Sequence, residues 1–179
     1  MKNDQLVKTE REIRQLKDYE KVTVFDYNGK IMLERQGSYN KVEFTQDDIE
    51  TMKKTQGAVL THNHPGGWRY NETDYRHHGN TFSLSDVKLA ALARLSEIRA
   101  VTPTRIFSLK TPREGWGEIT EEVIEDEYNY VQSEVRRELL TQVREGILSL
   151  EEANFRADDM RWRYVARNLG LIYNVLEVE

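Results

Sequence analysis

Hydrophobic positions along the chain change period several times, and each change marks an element. Residues 4–17 are strong helix formers among which only Leu6, Val7, Ile13 and Leu16 are apolar, so a helix with a thin apolar stripe is expected. The β-branched run KVTVF from Lys21 to Phe25, the turn Asn28-Gly29 and the following KIMLE predict a β-hairpin, with a further short strand over residues 42–44. Thr45 with Asp48 three residues on is a capping pair for a helix carrying Ile49 and Met52. Gly57 ends it, and the apolar run AVL enters a buried strand that leads into His62.

The second half is mostly helical in period. Ser83 opens the segment SDVKLAALARLSEI, whose Val87, Ala91, Leu95 and Ile98 fall on one helical face, and a last strand, RIFSL, starts at Arg105. Beyond Ile119 a stripe of Ile124, Tyr128, Val131, Val135 and Leu139 predicts one long helix that Gly146 breaks. Ser149 and Glu152 form a capping box for a second helix, with Ala153, Ala157, Met160 and Tyr164 at helical spacing up to Gly170. These two read as an antiparallel hairpin. The tail LIYNVLEV reads either as a strand returning to the sheet or as an exposed interaction strand. The expected class is α/β of the α+β type: a mixed sheet flanked by helices over residues 1–117, with residues 118–179 as a helical hairpin and short strand on the same core.

Composition narrows the chemistry. A chain of 179 residues can bury a core without disulfide or metal staples, so a purely structural metal is unnecessary. With no cysteine, disulfides, thiolate metal sites and thiol nucleophiles are excluded, and any metal must be held by His and carboxylates. The 31 acidic side chains outnumber the 26 basic ones, giving a net charge of -5 without a basic run, which disfavours nucleic acid as a partner. The charge-dense N-terminus lacks the apolar core of a signal peptide and nothing approaches the roughly 20 apolar residues of a membrane span, so a cytoplasmic location is expected.

All four histidines lie between positions 62 and 78, the first two in THNHPGG at the end of the buried strand. Residues two apart on a strand share a side, so His62 and His64 can face one point while Asn63 faces away. Pro65 and Gly66-Gly67 end the strand there. Asp86, in the first turn of the next helix, can complete a three-ligand set. That leaves a fourth position open, the arrangement of hydrolytic zinc, which also needs a carboxylate base. His77 and His78 are expected to be solvated loop residues. Trp116, Tyr128, Tyr130 and Trp162 are expected to cover core, and the charged helix faces to be solvated.

The string His62-Asn63-His64-Pro65 followed by Ser83-x-x-Asp86 resembles the JAMM (MPN+) metalloprotease signature, HxHP then SxxD, and is similar to the HNHP form of RadC-type proteins. The resemblance runs from about Tyr19 to Gly117 and implies a JAMM/cytidine-deaminase-like sheet, zinc on His62, His64 and Asp86, and Ser83 assisting at the oxyanion. It also implies an upstream glutamate as general base, for which Glu20 matches best and Glu34 is the alternative. The stretch 66–82, with Trp68, Tyr70, Tyr75, His77 and His78, is longer than the family's loop, and could cap, tune or block the site. The segments FSLSDVKLAALARLSEIRAV and FSLKTPREGWG are also similar to JAMM-like domains attached to phage head-morphogenesis and mobile-element proteins. The implied function is zinc-dependent cleavage of a peptide or isopeptide bond in a peptide or protein laid beside the HNHP strand. The competing readings are an inactive phage-type assembly or interaction module that docks phage structural proteins, and a RadC-like protein acting on nucleic acid.

Overall fold

The computed structural model describes residues 3–112 and 114–178. The hairpin forms where the β-branched run and the turn dictate: β1 (Lys21–Phe25) pairs antiparallel with β2 (Ile31–Gln36), and the turn closes through Gly29 at φ 85°. Ahead of the hairpin lies α1 (Asn3–Arg14), and after it α2 (Gln46–Lys54), capped reciprocally by Thr45 and Asp48. β3 (Val59–Asn63) is buried along its whole length, and α3 (Leu84–Leu92) starts at a second capping box, Ser83 with Asp86. β4 (Glu97–Val101) and β5 (Arg105–Lys110) follow, then α4 (Glu121–Tyr130), α5 (Gln132–Arg144), α6 (Leu150–Leu169) and β6 (Ile172–Glu177).

The six strands form one mixed sheet in the order β2-β1-β3-β4-β5-β6, with β3 and β4 parallel and the other neighbours antiparallel, so the architecture is α+β. One face carries Val22, Val24, Leu60, Ile98, Phe107 and Leu109, which pack with Val87, Ala91, Ile124, Val131, Trp162 and Val165 from the helices. Trp162 is fully buried and donates its indole N–H to the Phe82 carbonyl at 2.7 Å, which satisfies the one polar atom its burial would otherwise strand. The tail strand β6 pairs with β5 at the edge of the sheet, and the main cluster takes side chains from both the first 117 residues and the C-terminal helices. α5 packs on α6 through a smaller cluster of Val135, Leu139, Leu148 and Ala153.

On the other face α1 lays Leu6 against Phe25 and Val59, and Ile13 against Val101 and Ile106. Between these apolar ends lies a buried polar network: Arg99 bonds Glu10 at 2.5 and 3.1 Å and Glu97 at 2.6 Å, and Thr61 bonds Glu10 at 3.2 Å. Glu10 is only 3% exposed, so this helix face is not solvated as its charge pattern predicts.

Four further expectations are corrected. Residues 42–44 form no strand; Val42 and Phe44 pack on the core from an extended loop. The helix from Ser83 does not run through Ile98: it stops at Ala93, and Leu95 and Ile98 continue the buried pattern in a turn and in β4. The long stripe beyond Ile119 is two helices broken at Val131. Tyr130, placed by the sequence over the core, is 74% exposed at that break.

Candidate metal centre

The register of the central strands decides which side chains meet. Val22 lies opposite His62, so His62 shares a face with Val22, and Glu20, two residues earlier on the same extended segment, lies on that face too. Glu20 is held there by its backbone, whose N–H donates to Ser38 O at 2.8 Å and whose carbonyl accepts from Gly37 N–H at 2.9 Å. Glu34 lies opposite Thr23, hence on the α1 side of the sheet, where it pairs with Lys21 at 2.8 Å. Of the two glutamates, Glu20 is the one that lines the cavity containing His64 and Asp86.

Past Asn63 the chain stays extended for one more residue, since His64 N–H donates to Val101 O at 2.8 Å, and Pro65 then opens a 3₁₀ turn over Pro65–Arg69. Asn63 points to the other side: its amide donates to the carbonyls of Leu16 and Tyr19 and its Oδ1 accepts from Lys21 N–H, tying the segment before β1 to β3. His62 and His64 thus turn their Nε2 atoms to one point, 2.9 Å apart, with Asp86 oxygens 3.6 Å from each. Ligand atoms about 2.0–2.1 Å from a tetrahedral ion sit about 3.3 Å apart; here one ligand atom from each of the three residues lies within 4.8 Å of the other two, close enough for one ion to draw them together. The trio is the group of His and carboxylate ligand atoms among the described residues that could hold a metal ion.

The surroundings prepare each ligand. His64 Nδ1 is 3.1 Å from the Asn80 carbonyl, a contact that requires the proton on Nδ1 and makes Nε2 the nitrogen that turns to a metal once it gives up its own proton. His62 Nδ1 is buried with no partner among the described residues, so no contact forces a proton onto its Nε2. Asp86 Oδ2 accepts the Ser83 N–H at 2.7 Å and the Ser83 hydroxyl at 2.8 Å, which fixes the carboxylate at the helix start.

The neighbours of His64 favour its charged form. Burial opposes the charged form of His64, but the hydrogen bond and charge of Asp86 and the charge of Glu20 outweigh it, raising its pKa to about 9. Burial likewise opposes the Asp86 carboxylate, yet His62 and His64 hold its pKa well below the usual range. For Glu20 burial wins: its pKa is raised, against the charges of His64 and His62 and with that of Asp86. A raised carboxyl beside convergent imidazoles is the pattern of an acid–base group at a site of charge.

The stretch 66–82 walls the cavity, whose volume is about 460 Å³ and whose lining also includes Tyr39, Arg69, Arg76 and, from α6, Phe155 and Asp158. It is a packed structure: Trp68 donates to the Arg14 carbonyl at 2.9 Å and meets His77 edge-on, and Tyr75 meets Phe155 edge-on. Gly67 is required there, because a Cβ would lie 2.5 Å from the His77 carbonyl oxygen. His77 is buried and bonded to the carbonyls of Gly67 and Tyr70, and His78 to Thr104, so His77 is not the solvated residue expected and neither joins the trio. The segment therefore caps one side of the site and leaves Glu20, His64 and Asp86 facing the cavity.

Tyr39, Asn80 and the α6 residues were not identified from sequence, since each is brought in by tertiary packing without a local motif. β3 is flanked on both sides, by β1 and β4, so it has no free edge on which an extended chain could add as a further strand. Comparison with protein-family models, curated proteins and solved structures gives no match. No helix among the described residues is long and apolar enough to cross a membrane.

Proposed function

We propose that the chain is a zinc-dependent hydrolase of the JAMM type that cleaves a peptide or isopeptide bond. The observation that carries this reading is the convergence of His62 Nε2, His64 Nε2 and the Asp86 carboxylate, of which His64 and Asp86 line a cavity together with Glu20. Two imidazoles and one carboxylate are the borderline donor set that suits zinc, with a position left for water or substrate. A zinc ion held there supplies Lewis acidity, which polarises a carbonyl and lowers the pKa of water.

Each residue then has a task. His64 and His62 present Nε2 to the ion, and Asp86 neutralises part of its charge. Glu20, with its raised pKa, accepts the proton of the attacking water and delivers it to the departing amine nitrogen. Ser83 spends its hydroxyl proton on Asp86 Oδ2, which makes it a positioning residue for that ligand; stabilising an oxyanion directly requires that bond to open.

The test is metal content by mass spectrometry on gently purified wild type beside His62→Ala and Asp86→Ala. One zinc per chain, lost in both variants, is the expected result and leads to a peptidase screen. No zinc retained by wild type after zinc is supplied would sink the reading.

A further inference from the structure

Two groups on the cavity wall have polar capacity that the chain does not use. The Tyr39 hydroxyl is buried and without a hydrogen-bond partner among the described residues. The Arg69 guanidinium lies 3.9 Å over the Tyr39 ring and forms no ion pair among the described residues. Arg76, the other guanidinium on this wall, differs: Asp74 takes it in a bidentate pair at 3.0 and 2.7 Å.

The two groups come from opposite sides of the site. Tyr39 sits in the turn closed by Ser38 N–H to Lys41 O, directly after the residues that bond the Glu20 backbone. Arg69 ends the 3₁₀ turn that begins at Pro65, next to His64. The pair thus joins, on the cavity wall, the segment that holds Glu20 and the turn that follows His64. Stacking on an aromatic face leaves the N–H edge of a guanidinium outward, and a planar fork of this kind matches a carboxylate. A phenol hydroxyl beside it adds a further donor.

We propose that Tyr39 and Arg69 form a carboxylate-recognition point, so that the preferred substrate is a peptide carrying an acidic side chain or a free C-terminal carboxylate close to the scissile bond. The proposal rests on the reading of this cavity as a hydrolase site. A carboxylate docked there anchors the chain on the cavity wall, with the bond to be cut over the trio.

The experiment uses zinc-loaded protein and three N-acetylated alanine-based octapeptides: one with a central Glu and an amidated end, its Gln counterpart, and the Gln counterpart with a free C-terminal carboxylate. Binding is read from the Arg69 side-chain N–H resonance and from calorimetry. The expected result is at least tenfold tighter binding of one or both carboxylate peptides than of the amidated Gln peptide; which one identifies the source of the carboxylate. Arg69→Gln should erase that preference without altering zinc content, and Tyr39→Phe should reduce it several-fold. Equal binding of all three peptides, binding of none, or a preference that survives Arg69→Gln would overturn the proposal. Zinc content measured on the same samples separates this failure from that of the metal reading, because loss of carboxylate preference with one zinc per chain leaves the hydrolase assignment standing.

Discussion

His64 Nδ1 meets the carbonyl of Asn80, and that contact joins the candidate metal site to the end of the 66–82 segment. A ring held from behind presents its other nitrogen in one orientation and one tautomer, so the segment takes part in preparing the site as well as walling it. The same holds for Asp86 and Ser83, whose hydroxyl binds the carboxylate while it caps the helix.

Ser83→Ala should therefore lower two quantities at once. Loss of the cap is expected to cost about 1 kcal/mol of stability, read by urea unfolding. Loss of the bond to Asp86 is expected to weaken zinc binding about 10–100-fold, read by competition with a chromophoric chelator. Unchanged affinity would show that Asp86 needs only its backbone contact.

Glu20 and Glu34 separate cleanly. Glu20→Gln should keep zinc and fold while lowering turnover about 10²–10⁴-fold, whereas Glu34→Gln, on the α1 side of the sheet, should leave turnover unchanged. Full turnover in Glu20→Gln, measured on a peptide from the screen, would remove Glu20 from the role of base.

The buried network under α1 makes a stability prediction. Glu10→Ala leaves Arg99 with Glu97 as its remaining carboxylate, and a loss of about 3 kcal/mol is expected in urea unfolding, the lower end for breaking a buried pair. The triple change Glu10→Leu, Arg99→Met and Glu97→Gln should recover most of it, since it removes all three charges of the network together.

Asp48 gives a pH dependence. Burial raises its pKa, but hydrogen bonds from the Thr45 backbone and the Arg35 and Thr45 side chains, with the charge of Arg35, outweigh this and leave the folded value below the usual 3.8. The stabilisation is complete above that ordinary value and is lost as the pH falls through the depressed one. Thermal melts of wild type and Asp48→Asn should differ most at neutral pH and converge on acidification below about pH 4. A constant gap would show that the carboxylate charge contributes nothing.

Much of the trio was legible because its signals are local. HNHP ends an apolar run, and Ser83 with Asp86 is a capping box, so both motifs are visible without knowing what they pack against. β4 was hidden because the stop before it carries no sequence mark. The helix ends in a Schellman motif, with Leu95 N–H bonding Ala90 O and Arg94 N–H bonding Ala91 O, and the left-handed position usually filled by Gly is Arg94 at φ 53°. Leu95 and Ile98 then prolong the helical spacing by coincidence. Glu10 and Arg99 lie 89 positions apart, so each reads as a solvated charge until the fold brings them together. The same distance effect conceals Tyr39 and Arg69.

β3 carries His62 in the interior of the sheet, hydrogen-bonded along both sides, and His64 follows it directly, bonded to Val101 of β4. Amides of such a strand exchange with solvent only when the sheet opens around them. Asp86, by contrast, lies on the first turn of α3 and faces the cavity. The scaffold under His62 is thus expected to be among the slowest parts of the chain to exchange its amides, Thr61 and His62 included, so that this ligand stays in place whether or not the cavity is occupied.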